Sequence, residues 1–221
     1  ITNAFQAITI TKSGNLAATS HFGTLFYNGT DYKNYIPNNY YKYYSGGSEI
    51  FHALSLDYQP GQHEPISIIE KDNGHIIYCN SGVFPGWGTV IELDHTTGII
   101  TKYDNTEEII DGWDGINAPG THTHYMLVNQ IEKDKIGNIW VVNPFSEKYG
   151  NLLAIQLVDD ESWAHVEIPD RSSFLPQTVA FQEHGSSSQR AWIGFAYDAL
   201  EDSTIYSSGG IKVLNNAIIS L

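Results

Sequence analysis

Apolar and polar positions recur along the chain in four similar units. In each unit, a short apolar run leads into a polar turn and then into a second strand rich in apolar residues. Two short runs joined by a Gly/Asn turn are typical of a β-hairpin. The innermost strands of the units are predicted at residues 7–10, 66–69, 128–131 and 179–181.

Each unit continues with three further strands. Second strands are predicted at residues 16–19, 76–79, 139–142 and 191–194. Third strands open with glycine, at Gly23, Gly88, Gly150 and Gly210. Fourth strands are predicted at residues 32–36, 99–103, 163–168 and 217–221. Trp140 and Trp192 occupy the same place in the second strand, and we expect them to pack between neighbouring units, because large aromatic side chains dominate cores.

The spacing of the units predicts the fold class. Turn glycines Gly14, Gly74 and Gly137 are 60 and 63 residues apart, and Trp192 follows Trp140 by 52 residues. Four short strands at this spacing are typical of a β-propeller blade, which must stack on its neighbours to bury its apolar faces. We therefore predict an all-β propeller of four-stranded antiparallel blades.

The whole chain, residues 1–221, is predicted to form one domain with blades at about 4–36, 64–103, 126–168 and 177–221. Four blades are the minimum for a closed ring. The chain is therefore either a small four-bladed ring or part of a larger propeller. We favour the larger propeller, because the apolar strand at residues 217–221 has no evident closing partner and exposed edges are a liability.

Charge and composition exclude several classes of partner. The formal net charge of −14 argues against nucleic acid and against an anionic membrane surface, since both favour basic proteins. No run approaches the ~18 apolar residues of a membrane span, so no membrane insertion is predicted for this chain. Cys79, the only cysteine, stands in an apolar run and is expected to be buried.

Candidate ligand-binding residues lie in the segments between blades, because loops carry binding groups on one face of such a fold. Six tyrosines fall between residues 32 and 44. They could form a stacking platform for a sugar, peptide or other flat ligand, or pack the connection against its own blade. The candidates for ligand binding are Tyr40, Tyr41, Tyr43, Tyr44 and Trp113.

Candidate metal ligands come from the same kind of segment. His122 and His124 would share one side of an extended chain, and with Asp114 and His63 they could hold zinc or another transition metal. No third ligand has a diagnostic spacing, so a polar loop with hydrogen-bonded histidines is the alternative. Asp111, Asp114 and Asn117 could instead bind calcium through oxygen, but they do not belong to a 12-residue calcium-binding loop with a terminal glutamate. We therefore expect no cofactor. The alternative is a bound divalent cation.

The third unit carries the most specific motif. Asp134, Gly137, Ile139, Trp140 and Val141, followed by a Gly-led strand, resemble the two-component regulator propeller repeat. The fourth unit keeps part of this pattern in Trp192, Ile193 and Gly194 and in Gly209, Gly210 and Ile211. The first two units have Leu16-Ala17 and Ile76-Ile77 where Ile-Trp is expected, so the resemblance is good over about half of the chain.

This resemblance implies a bacterial, extracytoplasmic propeller, at the periplasm or cell surface. Such propellers form sensor domains of hybrid histidine kinases and occur in proteins associated with type IX secretion. We therefore expect a non-catalytic binding, sensing or scaffold module with a protein, peptide or glycan ligand on the inter-blade loop face.

The enzymatic alternative is a metal-dependent propeller lyase or lactonase-type hydrolase with its site in the central funnel. The chain is also similar to such enzymes in its Asp-x-x-Gly-Asn-Ile-Trp strand. That function requires ligands that converge from several innermost strands. The candidates are His63, Glu64, His122 and His124, each ahead of an innermost strand.

Overall fold

The computed structural model describes residues 5–20, 23–35, 40–45, 48–53, 65–80, 89–103, 110, 127–144, 153–158, 161–166, 174–183, 188–197 and 210–215. Over these residues the regular structure is entirely β, and the prediction of an all-β fold is confirmed. None of the described residues belongs to a helix that is long and apolar enough to cross a membrane.

The strands follow one another in four sheets and one separate hairpin. Sheet 1 contains β1 (Phe5–Ile10), β2 (Leu16–Ser20), β3 (Gly23–Tyr27) and β4 (Tyr32–Tyr35). The hairpin contains β5 (Tyr40–Ser45) and β6 (Ser48–Ala53). Sheet 2 contains β7 (Pro65–Glu70), β8 (Ile76–Asn80), β9 (Val90–Asp94) and β10 (Ile99–Tyr103). Sheet 3 contains β11 (Gln130–Lys133), β12 (Ile139–Val142), β13 (Leu153–Gln156) and β14 (Trp163–Val166). Sheet 4 contains β15 (Phe174–Glu183), β16 (Gln189–Tyr197) and β17 (Gly210–Leu214).

Within every sheet, consecutive strands pair in antiparallel fashion, as predicted for blades. The fourth strand predicted at residues 217–221 lies outside the described residues. The innermost strands β1, β7, β11 and β15 neighbour one another from sheet to sheet, which is the arrangement expected of successive propeller blades. The blade boundaries and the number of blades in a ring stay predictions.

Several details differ from the sequence-based expectation. The first strand of sheet 4 spans Phe174–Glu183, whereas residues 179–181 were predicted. The innermost strand of sheet 3 begins at Gln130, two residues later than predicted, because the turn that follows it starts only at Asp134. The hairpin β5–β6 was not predicted within the first connection. Tyrosine, isoleucine and phenylalanine favour strands, and Gly46 and Gly47 stand between the two halves of the segment.

The turn between β11 and β12 explains the motif that contains Trp140. Asp134 Oδ1 accepts hydrogen bonds from the amides of Ile136, Gly137 and Asn138 at 2.9–3.0 Å. Its Oδ2 accepts from Asn138 Nδ2 and from Trp140 Nε1, both at 3.0 Å. Gly137 closes this turn with φ +102°, a left-handed value that disfavours other residues. The buried Asp134 carboxylate thus hydrogen-bonds both to the backbone of the turn and to the Trp140 indole.

The sheets stack in chain order and bury an apolar layer at each contact. Trp140 is fully buried between sheets 3 and 4, with its ring centroid 5.2 Å from that of Phe181, as predicted for packing between units. Trp192 differs from the prediction, because it lies on the outer face of sheet 4 and is 39% exposed. Cys79 is buried between sheets 2 and 3 as expected, and burial raises the pKa of its thiol.

The two ends of the sheets carry different connections. In sheets 1 to 3, the turns from first to second strand and from third to fourth strand lie at one end, which we call the turn end. The turn ends of neighbouring sheets adjoin, since Lys12 of sheet 1 and Lys133 of sheet 3 both contact Asp72 of sheet 2. Antiparallel alternation therefore places the last residues of sheets 1, 2 and 3 (Tyr35, Tyr103 and Val166) and the first residues of the sheets that follow (Pro65, Gln130 and Phe174) at the opposite end.

Candidate functional site

Charged side chains join the turns of sheets 1, 2 and 3. The Asp72 carboxylate accepts hydrogen bonds from Lys12 Nζ at 2.6 Å and from Lys133 Nζ at 3.1 Å. These two bonds, that of Lys12 first, lower the pKa of Asp72. The Lys12 amide also donates to Glu70 Oε2 at 2.6 Å, and Lys133 Nζ donates to the Glu70 carbonyl at 2.8 Å. The turn of sheet 2 is therefore bonded to a neighbour on each side.

Lys71 begins the turn of sheet 2, at the place where the other turns have a side-chain oxygen. In sheet 1, Thr11 Oγ1 accepts a hydrogen bond from the Asn15 amide at 3.0 Å. In sheet 3, Asp134 Oδ1 accepts the equivalent bond from the Asn138 amide at 2.9 Å. A lysine side chain has no hydrogen-bond acceptor, so in sheet 2 Asn73 Oδ1 accepts a hydrogen bond from the His75 amide at 2.9 Å instead. The side chain of Lys71 is buried, which is unusual for an ammonium group.

Glu92, on β9, is the main counter-ion of Lys71. Lys71 Nζ lies 2.9 Å from each Glu92 oxygen, and His75 Nδ1 lies 2.6 Å from Oε1. The Tyr103 hydroxyl donates to Oε2 at 2.9 Å. Burial acts to raise the pKa of Glu92, but the hydrogen bonds from Lys71 and His75 outweigh it, so the pKa lies below its ordinary value. An ionised carboxylate can only accept, so His75 Nδ1 carries a proton.

Glu161 adds a second carboxylate to Lys71 from the neighbouring sheet 3. Its Oε1 lies 2.8 Å from Lys71 Nζ and 3.3 Å from Asn73 Nδ2. Glu161 has φ +58°, and its amide bonds to the Leu157 carbonyl in the way that the Gly98 amide bonds to Asp94 in sheet 2. A glutamate thus occupies a backbone position where sheet 2 has glycine. Such a local strain commonly accompanies a side-chain requirement.

A small pocket adjoins these groups between sheets 2 and 3. It has a volume of about 70 Å³, and Lys71, Gln156 and Glu161 are among its lining residues. Gln156 Nε2 donates to the Tyr103 hydroxyl at 3.2 Å, which leaves its buried Oε1 without a protein partner among the described residues. Burial, followed by the charge of Glu92, raises the pKa of Tyr103. The pocket is large enough for water molecules, and too small for a sugar or a peptide.

We call Lys71, His75, Glu92, Tyr103, Gln156 and Glu161 the Lys71 cluster. Its ammonium group contacts three carboxylate oxygens, and the Glu92 carboxylate receives bonds from three side chains. A general base must have a lone pair within reach of a substrate. Here the charged groups are bound to one another, and the cluster connects sheet 2 to sheet 3. The cluster is therefore a buried electrostatic contact between sheets 2 and 3.

The predicted ligand-binding tyrosines lie in the separate hairpin. Tyr40, Tyr41, Tyr43 and Tyr44 belong to β5, where Tyr41 pairs with His52 of β6 and Tyr43 pairs with Ile50. The remaining predicted site residues lie outside the described residues: Trp113, Asp114, His122, His124, His63 and Glu64. Within the described ranges, no group of three or more His, Cys, Asp or Glu side chains is placed to hold a metal ion.

The residues of the Lys71 cluster were not singled out from the sequence. Two signals were available to find them. Aligning the turns places Lys71 where Thr11 and Asp134 stand, and Glu92 is a charged residue inside the apolar run Val90–Asp94. The sequence carries no such signal for Glu161, because its left-handed backbone conformation is visible only in the folded turn.

Comparisons with known proteins give no family assignment. No family model matches the chain, and no curated protein matches it. Among solved structures, the chain is similar to the extracellular domain of a one-component system from B. thetaiotaomicron, with 12% identity and a TM-score of 0.39. It is also similar to the extracellular domain of a hybrid two-component system from the same organism, with 14% identity and a TM-score of 0.36. The matches cover 87% and 85% of this chain and 25% and 26% of the other chains, so this chain spans about a quarter of their length.

Proposed function

We propose that this chain is a non-catalytic binding module that holds a protein, peptide or glycan ligand at the end of the sheets opposite the turn end. The observation that carries the proposal is the difference between the two ends. The turn end has short hairpins whose charged groups bind one another across three sheets. At the opposite end the chain leaves one sheet and enters the next, and the sequence between the sheets covers residues 36–64, 104–129 and 167–173.

A rigid base with long segments on one side is the usual way in which a scaffold presents binding residues. The first of these connections contains the hairpin β5–β6, with four tyrosines in six residues of β5. Because successive residues of a strand alternate, positions 41 and 43 share one side of the hairpin and positions 40 and 44 the other. Tyrosine combines a flat apolar ring with a hydroxyl, which suits both sugars and peptides.

An extracytoplasmic location is part of this proposal. It is supported by the resemblance of residues 134–141 to the two-component regulator propeller repeat. The net charge of −14 is compatible with that location and disfavours nucleic acid as the ligand.

The ligand proposal can be tested with variants at the two ends. Purified protein is screened against immobilised polysaccharides and a random-peptide display library. For any ligand found, we expect the double variant Tyr41→Ala/Tyr43→Ala, or Trp113→Ala, to weaken binding about tenfold or more, which corresponds to about 1.4 kcal/mol. The matched control is the turn-end variant Asn73→Ala, which should bind like the original chain.

Two outcomes would overturn the proposal. The first is equal loss of binding in Asn73→Ala, which would move the ligand to the turn end. The second is stoichiometric zinc in the native protein, measured by metal analysis, together with lactone hydrolysis that is lost in His122→Ala and His124→Ala. That result would establish the enzymatic alternative.

A further inference from the structure

The pocket between sheets 2 and 3 has a polar side and an apolar side. The polar lining residues come from both sheets, and they are Lys71, Asp72, Asn73, Gln156 and Glu161. The apolar lining comes from sheet 3 alone, and it consists of Gly137, Ile139, Leu157 and Val158. Because the polar atoms of a pocket fix which ligand fits, those that are not already bonded within the protein determine what this pocket can hold.

Gln156 supplies a buried hydrogen-bond acceptor to this lining. The residue is 1% exposed, and its Nε2 donates to the Tyr103 hydroxyl at 3.2 Å. Its Oε1 has no hydrogen-bond partner among the described residues. A buried acceptor without a donor is unfavourable, and Gln156 lines the pocket, so a donor bound in the pocket would satisfy this oxygen.

Two carboxylates of the lining use only one of their oxygens within the described part of the chain. Both hydrogen bonds that Glu161 receives end on Oε1, and both that Asp72 receives end on Oδ1. Asp72 Oδ2 lies against the pocket wall, since a Cβ added to Gly137 would meet it. The side chains of Asp72 and Glu161 are 42% and 53% exposed, so this side of the pocket is open to solvent.

The side-chain nitrogens of the lining, in contrast, already have acceptors. The Lys71 ammonium group contacts three carboxylate oxygens. Asn73 Nδ2 donates to Glu161, and Gln156 Nε2 donates to Tyr103. The lining also contains two carboxylates and one ammonium group, so negative charge is in excess by one. The pocket therefore presents acceptors and negative charge to a ligand.

We propose that this pocket binds a primary alkylammonium group, at a second site that is separate from the ligand site at the opposite end. An ammonium nitrogen has three N–H donors and no lone pair, so a lining of acceptors meets all of its hydrogen bonds. The three acceptors are Gln156 Oε1, Glu161 Oε2 and Asp72 Oδ2. A water molecule would donate to two of them and would itself need a donor, and its binding would leave the excess negative charge unchanged.

The apolar side of the pocket suits the carbon stem of such a group. Ile139 and Leu157 are buried there, and Val158 is 37% exposed. A volume of about 70 Å³ holds about two water-sized groups, which corresponds to the ammonium nitrogen and the first carbon of the stem. The rest of a longer ligand would lie outside, beside Val158.

The test is urea unfolding of the 221-residue chain, followed by tryptophan fluorescence, in methylammonium chloride. Sodium chloride at the same concentration, about 0.1 M, is the reference, so that charge screening is equal. A ligand that binds only the folded chain raises the folding equilibrium constant, and a dissociation constant of about 10 mM would raise it about tenfold. Tetramethylammonium chloride has the same charge but no N–H donor, and it should act like sodium chloride.

Variants of the lining assign the effect to the pocket. Glu161→Gln and Gln156→Met should each lose most of the tenfold effect, because each removes an acceptor. Every variant is compared with itself in the two salts, so its own change in stability cancels. If Gln156→Met does not fold, Asp72→Asn replaces it. The matched control is Glu183→Gln, which removes a carboxylate paired with Lys135 outside the pocket and should keep the full effect.

Two longer probes distinguish the sources of the ammonium group. Propylammonium chloride represents a free amine, and the peptide acetyl-Gly-Lys-Gly-amide represents a lysine side chain. Stabilisation by the first alone supports a free amine as the ligand, and stabilisation by both supports lysine side chains as well. Equal unfolding in methylammonium and sodium chloride, an equal effect of tetramethylammonium, or an unchanged effect in Glu161→Gln would each overturn the proposal. None of these results bears on ligand binding at the opposite end, which the Tyr41→Ala/Tyr43→Ala variant tests.

Discussion

Lys71 shows how one residue can change the role of a turn. Its sequence position is that of a turn-capping oxygen, yet its side chain carries a buried positive charge to Glu92 and Glu161. Removing one partner of a buried ion pair leaves the other charge without compensation, and this usually costs more than the pair contributes. The cluster therefore makes the contact between sheets 2 and 3 sensitive to single substitutions.

Lys71→Met should destabilise the protein by about 3–5 kcal/mol, because Glu92 would stay buried without its main counter-charge. The measurement is urea unfolding followed by fluorescence. The double variant Lys71→Met/Glu92→Leu should recover much of the loss. Lys12→Ala, which removes an exposed ion pair, should change stability little. An effect of Lys71→Met as small as that of Lys12→Ala would contradict this account.

The stability of the chain should fall in acid partly through Glu92. Its pKa in the folded protein lies below the ordinary value of 4.5, so it stabilises the fold above that pH. The contribution is lost as the pH falls through the lower, folded pKa. We expect Glu92→Gln to show a shallower loss of unfolding free energy below about pH 4.5 than the original chain. Parallel curves for the two proteins would show that Glu92 has no depressed pKa.

The left-handed backbone of Glu161 gives a third residue-scale prediction. Glycine accepts φ +58° without cost, whereas alanine does not. Glu161→Ala should therefore be less stable than Glu161→Gly by about 1 kcal/mol, although both lose the same contact with Lys71. Thermal unfolding of the pair measures this difference directly. Equal melting temperatures would mean that the turn relaxes to another backbone conformation.

At the scale of the element, the β-hairpin turn is the repeated unit that positions neighbouring sheets. Its first residue bonds to the fifth, and a glycine in the fourth place has positive φ at positions 14, 74 and 137. The turns share this backbone but differ in their surroundings. Gly14 and Gly74 face open space, whereas a Cβ at Gly137 would meet the Asp72 carboxylate of the next sheet and approach Val158 Cγ2 at 3.1 Å.

Gly137→Ala and Gly74→Ala form a matched pair for this element. Both variants pay about 1 kcal/mol for a non-glycine residue at positive φ. Only Gly137→Ala must also displace Asp72, which Lys12 and Lys133 hold in place. We expect Gly137→Ala to be the less stable variant in urea unfolding. A larger loss in Gly74→Ala would show that the contact between turns does not matter for stability.

At the scale of the whole molecule, stability depends on the layers between sheets. An isoleucine lies three residues before the first turn in each of sheets 1 to 3, but its exposure differs from 61% at Ile8 to 7% at Ile68 and none at Ile131. Isoleucines at the same place in the repeat therefore contribute different amounts to the free energy of unfolding, because their burial depends on whether a sheet lies next to them.

Truncation of these isoleucines should reveal that difference. Ile131→Ala should cost about 2–5 kcal/mol, because it leaves a cavity in a packed layer. Ile8→Ala should cost far less, since it removes mostly exposed surface. Denaturant titrations compare the two variants. A similar cost for both would mean that Ile8 is covered in the folded protein.

The class of fold and the positions of most strands could be predicted from local sequence patterns. Alternating apolar residues and Gly/Asn turns specify hairpins through local backbone preferences, so the strands around residues 16–20, 76–80, 99–103 and 139–142 were predicted closely. The sequence also marked Trp140 as a core residue, because large aromatic side chains dominate cores.

The role of each residue in the stack of sheets depends on contacts that form only in the folded protein. The Lys71 cluster brings together residues up to 90 positions apart, and no local pattern encodes that meeting. The same is true of Trp140 and Trp192, which are equivalent in the repeat but differ in burial. Local sequence sets the backbone conformation, whereas burial and ion pairing depend on which sheet is the neighbour.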